Sequence, residues 1–284
     1  MMQASSYTET DRTKSKWVAK VYQDFVKEMG RSRTTLRGLF YYALQRTVSD
    51  YPICGGFVGE IRITRPYHEN DGEKLAKWTK KARSLGFIPA DSILEEMPGE
   101  HTIFPHKFFL ESGNCDLPHI EVWLSKSAAG PLLYSVCERH GIVLVLVQGR
   151  PSQDTIADLF RRHNSPTTIL CLSDLSQREA FFSQELAKDI ERYRPEASSL
   201  KVDVQRIALL PEQIQQLKIP MIRAPKAKEN KDEFKKYLAP FSLDPKNIGE
   251  IDALEVYYPG GIACFLDEIL MHQKAGRQLG RKVL

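Results

Sequence analysis

The sequence lacks any hydrophobic run long enough to cross a bilayer, because its longest aliphatic stretch, Ile142–Val147, is far shorter than the roughly 20 residues a membrane helix needs. The first residues, Met-Met-Gln-Ala-Ser-Ser, are polar and contain no signal-peptide core. Cysteine is scarce, and its five positions show neither zinc-knuckle nor disulfide-framework spacing. We therefore expect no membrane association and a cytoplasmic protein, nucleoid-associated if the host is a bacterium or an archaeon.

Net charge is also low, at +4, which does not by itself point to nucleic acid. The charge is unevenly spread, because nine basic residues and only two acids lie between Arg12 and Arg46, a local balance of +7. Such a cluster is expected where a protein contacts phosphates, and a solvated helix face is the alternative. The sequence has no Gly-x-x-x-x-Gly-Lys-Ser/Thr loop, so an ATP-driven step needs a separate protein partner.

Hydrophobic spacing divides the chain into two parts. The first part alternates short helices, over 17–29, 36–47 and 72–85, with a strand over 57–63, which is typical of a helix-turn-helix or winged-helix module. From residue 119 onward, apolar strands alternate with helices, which predicts an α/β fold with a mainly parallel sheet covered on both faces. The boundaries we expect are a disordered tail over 1–15, a winged-helix domain over 16–100, a linker over 101–118 and a Rossmann-like domain over 119–284.

Three ordered segments resemble one protein family. Thr35-Leu-Arg-Gly-Leu-Phe-Tyr-Tyr-Ala-Leu44 resembles the Arg-x-x-(Phe/Tyr)-Tyr signature of the topoisomerase VI A subunit and the meiotic double-strand-break transesterase. Residues 120–126, 145–152 and 169–174 resemble the Toprim domain of that family. Val204-Gln-Arg-Ile-Ala-Leu-Leu-Pro-Glu-Gln-Ile214 and Glu250-Ile-Asp-Ala-Leu254 resemble two further family motifs. The set spans about residues 30 to 270 and is similar to short stand-alone relatives on mobile elements, called Mini-A.

The resemblance implies a fold and a mechanism. The fold is a winged-helix, CAP-like domain followed by a Toprim domain, and the partners are double-stranded DNA and a second copy of the chain. In the family, a winged-helix tyrosine attacks a DNA phosphodiester and forms a 5′-phosphotyrosyl link, supported by a Toprim Mg²⁺ site of the other protomer. Tyr41 falls on the nucleophile position, with Tyr42 as its competitor and Arg37 as the assisting cation.

The sequence departs from the family at the metal site. Mg²⁺ takes hard oxygen ligands, and the family supplies one Glu and an Asp-x-Asp pair. Here Ser125 stands at the Glu position, the pair reads Asp174-Leu-Ser176, and Arg178 brings positive charge nearby. A lone Asp174 predicts weak Mg²⁺ binding at most, and thus a degenerate site. Candidate surrogate ligands are Glu179, Glu250 and Asp252, although the last two are also explained as an acidic pair at a helix start.

Six basic residues are candidates for DNA contact, either as phosphate ligands or as plain surface cations: Arg31, Arg33, Lys77, Lys81, Lys126 and Arg150. Three functions follow from the sequence. The first is a DNA-binding, non-cleaving or weakly active scaffold or regulator, a pseudoenzyme acting as a homodimer in DNA metabolism. The second is an active tyrosine transesterase with a rearranged Mg²⁺ site. The third is a protein-interaction module that does not bind DNA.

Overall fold

The computed structural model describes residues 7–46, 51–58, 61–105, 119–224 and 231–278. The chain divides into two compact units, Met1–Glu95 and Glu96–Leu284, which we call unit 1 and unit 2. The division falls a few residues before the expected start of the linker. Of that linker, His101–Ile103 form a strand of unit 2, and residues 106–118 lie outside the described part.

Unit 1 combines helices with an antiparallel hairpin formed by its second and third strands. Its first and fourth strands pair in parallel over two residues each. The described elements of unit 1 are α1 (Glu9–Met29), β1 (Thr34–Thr35), α2 (Leu36–Leu44), β2 (Ile53–Val58), β3 (Ile61–Arg65), α3 (Gly72–Ser84) and β4 (Ile93–Leu94).

Helix α1 begins at Glu9, where the sequence was expected to be disordered up to residue 15. The cause is a capping box: the Thr8 hydroxyl accepts from the Asp11 N–H at 3.2 Å, and the Asp11 carboxylate accepts from the Thr8 N–H at 3.2 Å. The helix buries Val18, Val21 and Phe25, as its periodicity predicted. Residues 1–6 of the expected tail lie outside the described part.

Unit 2 is built on a five-stranded sheet with strand order β5-β7-β6-β8-β9. Strands β7, β6, β8 and β9 are parallel to one another, and β5 is antiparallel to β7. The predicted α/β fold with a mainly parallel sheet is confirmed. The elements are β5 (His101–Ile103), β6 (His119–Leu124), α4 (Gly130–His140), β7 (Val143–Leu146), α5 (Gln153–Arg162), β8 (Thr167–Leu172), α6 (Phe182–Arg192), β9 (Val202–Ala208), α7 (Pro211–Leu217), β10 (Ile222–Arg223), α8 (Lys231–Leu238), β11 (Asn247–Ile248), α9 (Leu254–Tyr257) and α10 (Gly261–Gln278).

Helices cover both faces of this sheet. On one face, Ile156 of α5 and Leu186 of α6 pack in a core with Trp123 and other inward strand residues. On the other face, α4 approaches β7 so closely that a Cβ on Gly130 would lie 2.7 Å from the Leu146 side chain. Each large apolar side chain buried in this way contributes about 1.5–3 kcal/mol, so the sheet is the main source of stability in unit 2.

The N-terminus of α5 is capped from a distant part of unit 2. The Ser152 hydroxyl accepts from the Thr155 N–H at 3.2 Å, so Ser152 is the N-cap of this helix. The Glu100 carboxylate accepts from the Ser152 N–H and hydroxyl, both at 2.8 Å, and from the Thr155 hydroxyl. A carboxylate is favourable here because the first N–H groups of a helix carry partial positive charge. Within the described ranges, no helix is both long and apolar enough to cross a membrane.

Candidate functional site

The candidate site lies at the carboxyl ends of β6 and β8. Strands β7 and β8 flank β6 on opposite sides, so the order of the sheet reverses at β6. In open α/β sheets, the crevice at such a reversal is where ligands bind. The loop after β6 begins with Ser125 and Lys126, and the loop after β8 runs from Ser173 to Glu179. Both loops were expected, from the sequence, to carry the functional residues of this half.

A third segment, Glu250–Ala253, is held beside these loops by backbone hydrogen bonds. The Leu175 N–H donates to the Gly249 carbonyl at 2.7 Å, and the Gly249 N–H donates to the Leu175 carbonyl at 3.0 Å. The Asp174 carboxylate accepts from the Ile251 N–H at 2.8 Å. The side chains of Glu250 and Asp252 are thereby brought next to Asp174.

The centre of the site is the ammonium of Lys126, which is surrounded by three carboxylates. Its Nζ lies 2.6 Å from Asp252 Oδ2, 3.5 Å from Asp174 Oδ2 and 3.6 Å from Glu250 Oε1. Lys126 keeps only 16% of its side chain exposed, and the Asp252 side chain is fully buried. We call these four residues the strand-end site.

The charges of the strand-end site depend on one another. Burial alone lowers the pKa of the Lys126 ammonium, but the surrounding carboxylates outweigh burial and hold that pKa well above its ordinary value. Burial, together with the negative charges of Glu179, Glu250 and Asp252, raises the pKa of Asp174 to about 7 against the attraction of Lys126. Lys126 therefore stays a cation, and Asp174 changes charge near neutral pH.

Ser125 and Ser176, at the two positions where the resemblance leads us to expect metal ligands, make hydrogen bonds to Glu179. The Ser125 hydroxyl donates to the Glu179 carboxylate at 2.6 Å, and the same carboxylate oxygen accepts from the Asp174 N–H at 3.1 Å. The Ser176 hydroxyl accepts from the Glu179 N–H at 3.2 Å. Glu179 thus holds the two strand-end loops together and is committed to hydrogen bonds within the loops.

These residues do not fit a Mg²⁺ site. Two of the proposed surrogate ligands, Glu250 and Asp252, do converge with Asp174, but they converge on an ammonium, and a divalent cation among them would meet the like charge of Lys126 within a few ångströms. Across the described ranges, no group of three or more His, Cys, Asp and Glu side chains is arranged to hold a metal ion. Arg178, expected near the metal position, is exposed and lines a cleft with Gln148 and Arg150.

One residue of the site went unassigned in the sequence. The buried guanidinium of Arg206, on β9, donates to the carbonyls of Asp174 at 3.0 Å and Leu209 at 2.9 Å, and also to Ala180. It fixes the backbone of the loop that carries Asp174. The signal was present, because Arg206 is the arginine of the Arg-Ile-Ala-Leu stretch at the end of a predicted strand.

The two candidate nucleophiles are buried in unit 1. Tyr41 and Tyr42 lie on α2, whose N-cap is Thr35, and both tyrosines are 0% exposed. The Arg37 guanidinium lies 5.7 Å from the centre of the Tyr41 ring and 4.2 Å from that of Phe40. Burial raises the pKa of Tyr42. In this conformation neither hydroxyl is presented to a phosphodiester.

The six candidate DNA contacts have different surroundings. Arg33 and Lys77 are exposed, while Arg31 is half-buried with its guanidinium 6.0 Å from the Phe25 ring. Lys81 pairs with Asp11. Of the two in unit 2, Lys126 belongs to the strand-end site, and Arg150 forms a two-pronged ion pair with the buried Asp189.

A comparison of the chain with known protein families finds no match, and neither does a comparison with curated proteins.

Proposed function

We propose that this protein binds double-stranded DNA and has lost metal-dependent cleavage, while keeping the domain order of the topoisomerase VI A subunit that its motifs resemble. The observation that carries the proposal is the Lys126 ammonium, which lies within 3.6 Å of three carboxylates. The resemblance implies a divalent cation near this edge of the sheet, and here a cation of the chain itself is bound by the acids.

The arrangement explains how the strand-end loops hold together. Three buried carboxylates close to one another repel, and leaving them without a cation is strongly unfavourable. Lys126 neutralises part of this charge, and the remaining lone pairs of Asp174 accept from the Ile251 N–H. Because the balance is internal, Mg²⁺ is not needed to form the site.

The surroundings of the tyrosines support the same proposal. A nucleophilic Tyr has to reach a phosphorus atom and lose its proton, and its ordinary pKa is already near 10. Tyr41 is buried beside Phe40, and Arg37 lies over the Phe40 ring. The family mechanism needs this guanidinium at a phosphate. Here it packs against aromatic rings instead.

Binding to DNA is supported by the charge of unit 1. That unit has 16 Lys and Arg against 11 Asp and Glu, a balance of +5, whereas unit 2 has 24 against 25. Within the proposal, unit 1 is a winged-helix, CAP-like domain whose hairpin of β2 and β3 is the wing. A homodimer, and a separate ATPase or other partner protein, are further parts of the proposal that come from the resemblance.

Plasmid cleavage tests the loss of activity. Supercoiled DNA is incubated with the full chain in Mg²⁺ or Mn²⁺, alongside the Tyr41→Phe and Asp174→Ala variants. We expect all three proteins to leave the plasmid intact, because the acids are occupied by Lys126. Nicking that Tyr41→Phe abolishes, or a covalent adduct between protein and DNA, would show an active transesterase.

DNA binding is tested separately, by titrating a fluorescent 30-base-pair duplex with the full chain over a salt series. We expect an apparent Kd that rises steeply with salt, because cations on the protein displace counterions from the phosphates. Absence of salt-sensitive binding would leave a protein-interaction module as the remaining function.

A further inference from the structure

Helix α1 carries a row of long basic side chains along its solvent face. Arg12, Lys16, Lys20 and Lys27 are all exposed, and Gln23 lies among them. Because a helix turns 100° per residue and rises 1.5 Å, these positions fall within an arc of about 80° and extend over about 22 Å. We call Arg12, Lys16 and Lys27 the α1 stripe; Lys20, on the same face, contacts the Tyr51 ring.

The direction of the α1 stripe is fixed by the opposite side of the helix. There, Val18, Val21 and Phe25 are fully buried in unit 1. Trp17 adds an edge-on contact with Trp78 of α3, with ring centroids 5.5 Å apart. The helix therefore cannot roll, and the stripe faces away from the core of its own unit.

Other cations of unit 1 are already neutralised by neighbouring acids. The ion pairs are Arg46 with Glu28, Arg65 and Lys74 with Asp71, Lys81 with Asp11, and Arg83 with Glu95.

The α1 stripe differs from these paired cations. Within the described ranges, no carboxylate lies at ion-pair distance from Arg12, Lys16 or Lys27, while Lys20 lies 5.4 Å over the Tyr51 ring. Two acids border this side of α1: Glu9 in the first turn of the helix, and Asp24, whose carboxylate accepts from the Tyr51 hydroxyl at 2.9 Å. The α1 stripe thus places three exposed cations in one row, while other exposed cations of unit 1 lie outside α1, namely Arg33, Lys77 and Lys80.

We propose that the α1 stripe is the surface of this protein that follows the phosphate backbone of double-stranded DNA. The inference rests on the proposed function and names its contact, which differs from the six candidate DNA contacts that the sequence indicated. Lysines and arginines that contact phosphates and no base edges bind DNA independently of the DNA sequence. Adsorption to an anionic membrane is disfavoured, because such helices insert an apolar face, and that of α1 is buried in unit 1.

The test compares two triple variants in the full chain, each of which removes three positive charges. The first is Arg12→Gln/Lys16→Gln/Lys27→Gln. The matched control is Lys188→Gln/Lys235→Gln/Lys236→Gln, whose lysines are exposed on α6 and α8 of unit 2. Binding of one duplex is measured by fluorescence anisotropy between about 50 and 200 mM salt.

Each phosphate contact contributes about 0.9 to the slope of log K against log salt, so we expect the α1 variant to lose about 2.7 from the slope of the wild type. The control variant should keep the wild-type slope. Circular dichroism should show unchanged helix content in both, because every substituted side chain is exposed.

Three results overturn the inference and differ in what they say about the proposed function. If the wild type binds with a steep salt slope and the α1 variant matches it, the stripe is refuted and DNA binding stands. If the slope of log K against log salt falls equally in both triple variants, the net charge of the protein explains the binding and the α1 stripe does not. If the wild type shows no salt-dependent binding to DNA but floats with phosphatidylserine vesicles, the proposed function fails as well.

Discussion

At the scale of single residues, Lys126 decides the chemistry of the strand-end site. An ammonium and a divalent ion satisfy the same carboxylates, but only the ion also polarises a phosphate and leaves positions open for water and substrate. The Lys126 Nζ already has three acidic neighbours, with Asp252 at 2.6 Å. The side chain therefore supplies the charge that stabilises the acids without the open coordination positions that catalysis requires.

Removing this charge should destabilise the fold. Lys126→Met leaves three buried carboxylates without their cation, and breaking a buried ion pair in this way costs about 3–5 kcal/mol. We expect a loss of that size in the free energy of unfolding, measured with urea at pH 8. Lys188→Met, on the exposed side of α6, should change it by less than about 0.5 kcal/mol. Equal stability of the two variants would contradict the assigned role of Lys126.

Asp174 should make stability depend on pH. Its pKa is about 7 in the folded protein and near 4 when unfolded, so the folded state holds the additional proton between these values. The resulting stabilisation is complete below pH 4 and is lost as pH rises through 7. From pH 6 to pH 8 we expect this residue to lower the free energy of unfolding by about 1 kcal/mol.

The check is urea unfolding of the wild type and Asp174→Asn at both pH values. Asparagine cannot take up the proton, so this part of the pH dependence should disappear in the variant. Parallel pH profiles for the two proteins would rule out the assignment to Asp174.

At the scale of elements, the site depends on how closely the segment before Glu250 packs against its neighbours. Gly249 forms backbone hydrogen bonds with Leu175, and a Cβ at this position would lie 2.7 Å from Ile214 Cδ1 and 3.0 Å from Leu209 Cδ2. A side chain at this position would force the ends of the buried Ile214 and Leu209 side chains to move where α7 meets the strand-end loops. The position of Glu250 and Asp252 thus depends on residue 249 having no side chain.

Gly249→Val should therefore push this segment out of place. Overpacking of this kind costs about 1–3 kcal/mol, measurable as a lower urea midpoint. The matched control is Gly72→Ala at the start of α3, where the nearest side-chain atoms would be 3.6 Å away. That change should be neutral or stabilising by up to about 1 kcal/mol, because alanine favours helix. A tolerated Gly249→Val would show that the loops are free to move.

The sequence predicted the central sheet well because its physical signals are local. The apolar run over 119–124 predicts β6 with its observed bounds, and the run over 168–172 predicts β8 with one residue fewer, since both runs are bounded by polar residues. The region between β9 and α10 gives no such signal, because its elements are short and interrupted by Pro211, Pro220 and Pro240. Their positions come from packing against the rest of unit 2.

The candidate site was predicted only as a set of residue types. The sequence indicated the carboxyl ends of the strands, the lost acids at Ser125 and Ser176, and the surviving Asp174. It left Lys126 as a surface cation or a phosphate ligand. The carboxylates around Lys126 come from distant parts of the chain, and residue spacing does not specify which strand-end side chains point at one another.

At the scale of the whole molecule, the chain separates the charge that meets solvent from the charge that it buries. The excess of cations lies in unit 1, where the α1 stripe is exposed, whereas the acids of the strand-end site surround Lys126 inside unit 2. The small net charge of the chain therefore hides two different arrangements. Long-range attraction of an anionic partner is expected from the first, since exposed cations act over longer distances than charges paired within the fold.

Thermal unfolding of the full chain should not respond to divalent cations. We expect the wild-type Tm to be the same, within about 1 °C, in millimolar Mg²⁺, in Mn²⁺ and in EDTA, because the three acids of the strand-end site already surround Lys126. Lys126→Gln exposes the same three carboxylates to solution, so Mn²⁺ should raise its Tm by several degrees above the value in EDTA. A wild type stabilised by Mg²⁺ would contradict the assignment.

The Glu100 carboxylate affects whether a nucleotide phosphate can bind at the N-terminus of α5. In α/β proteins, the N-terminus of the helix after a strand is a common place for a nucleotide phosphate to bind. In this chain the Glu100 carboxylate already lies at the N-terminus of α5. It accepts hydrogen bonds from the Ser152 N–H and from the hydroxyls of Ser152 and Thr155. A carboxylate of the chain itself thus already occupies the position where a phosphate would bind. A nucleotide phosphate could bind at this helix only by displacing Glu100.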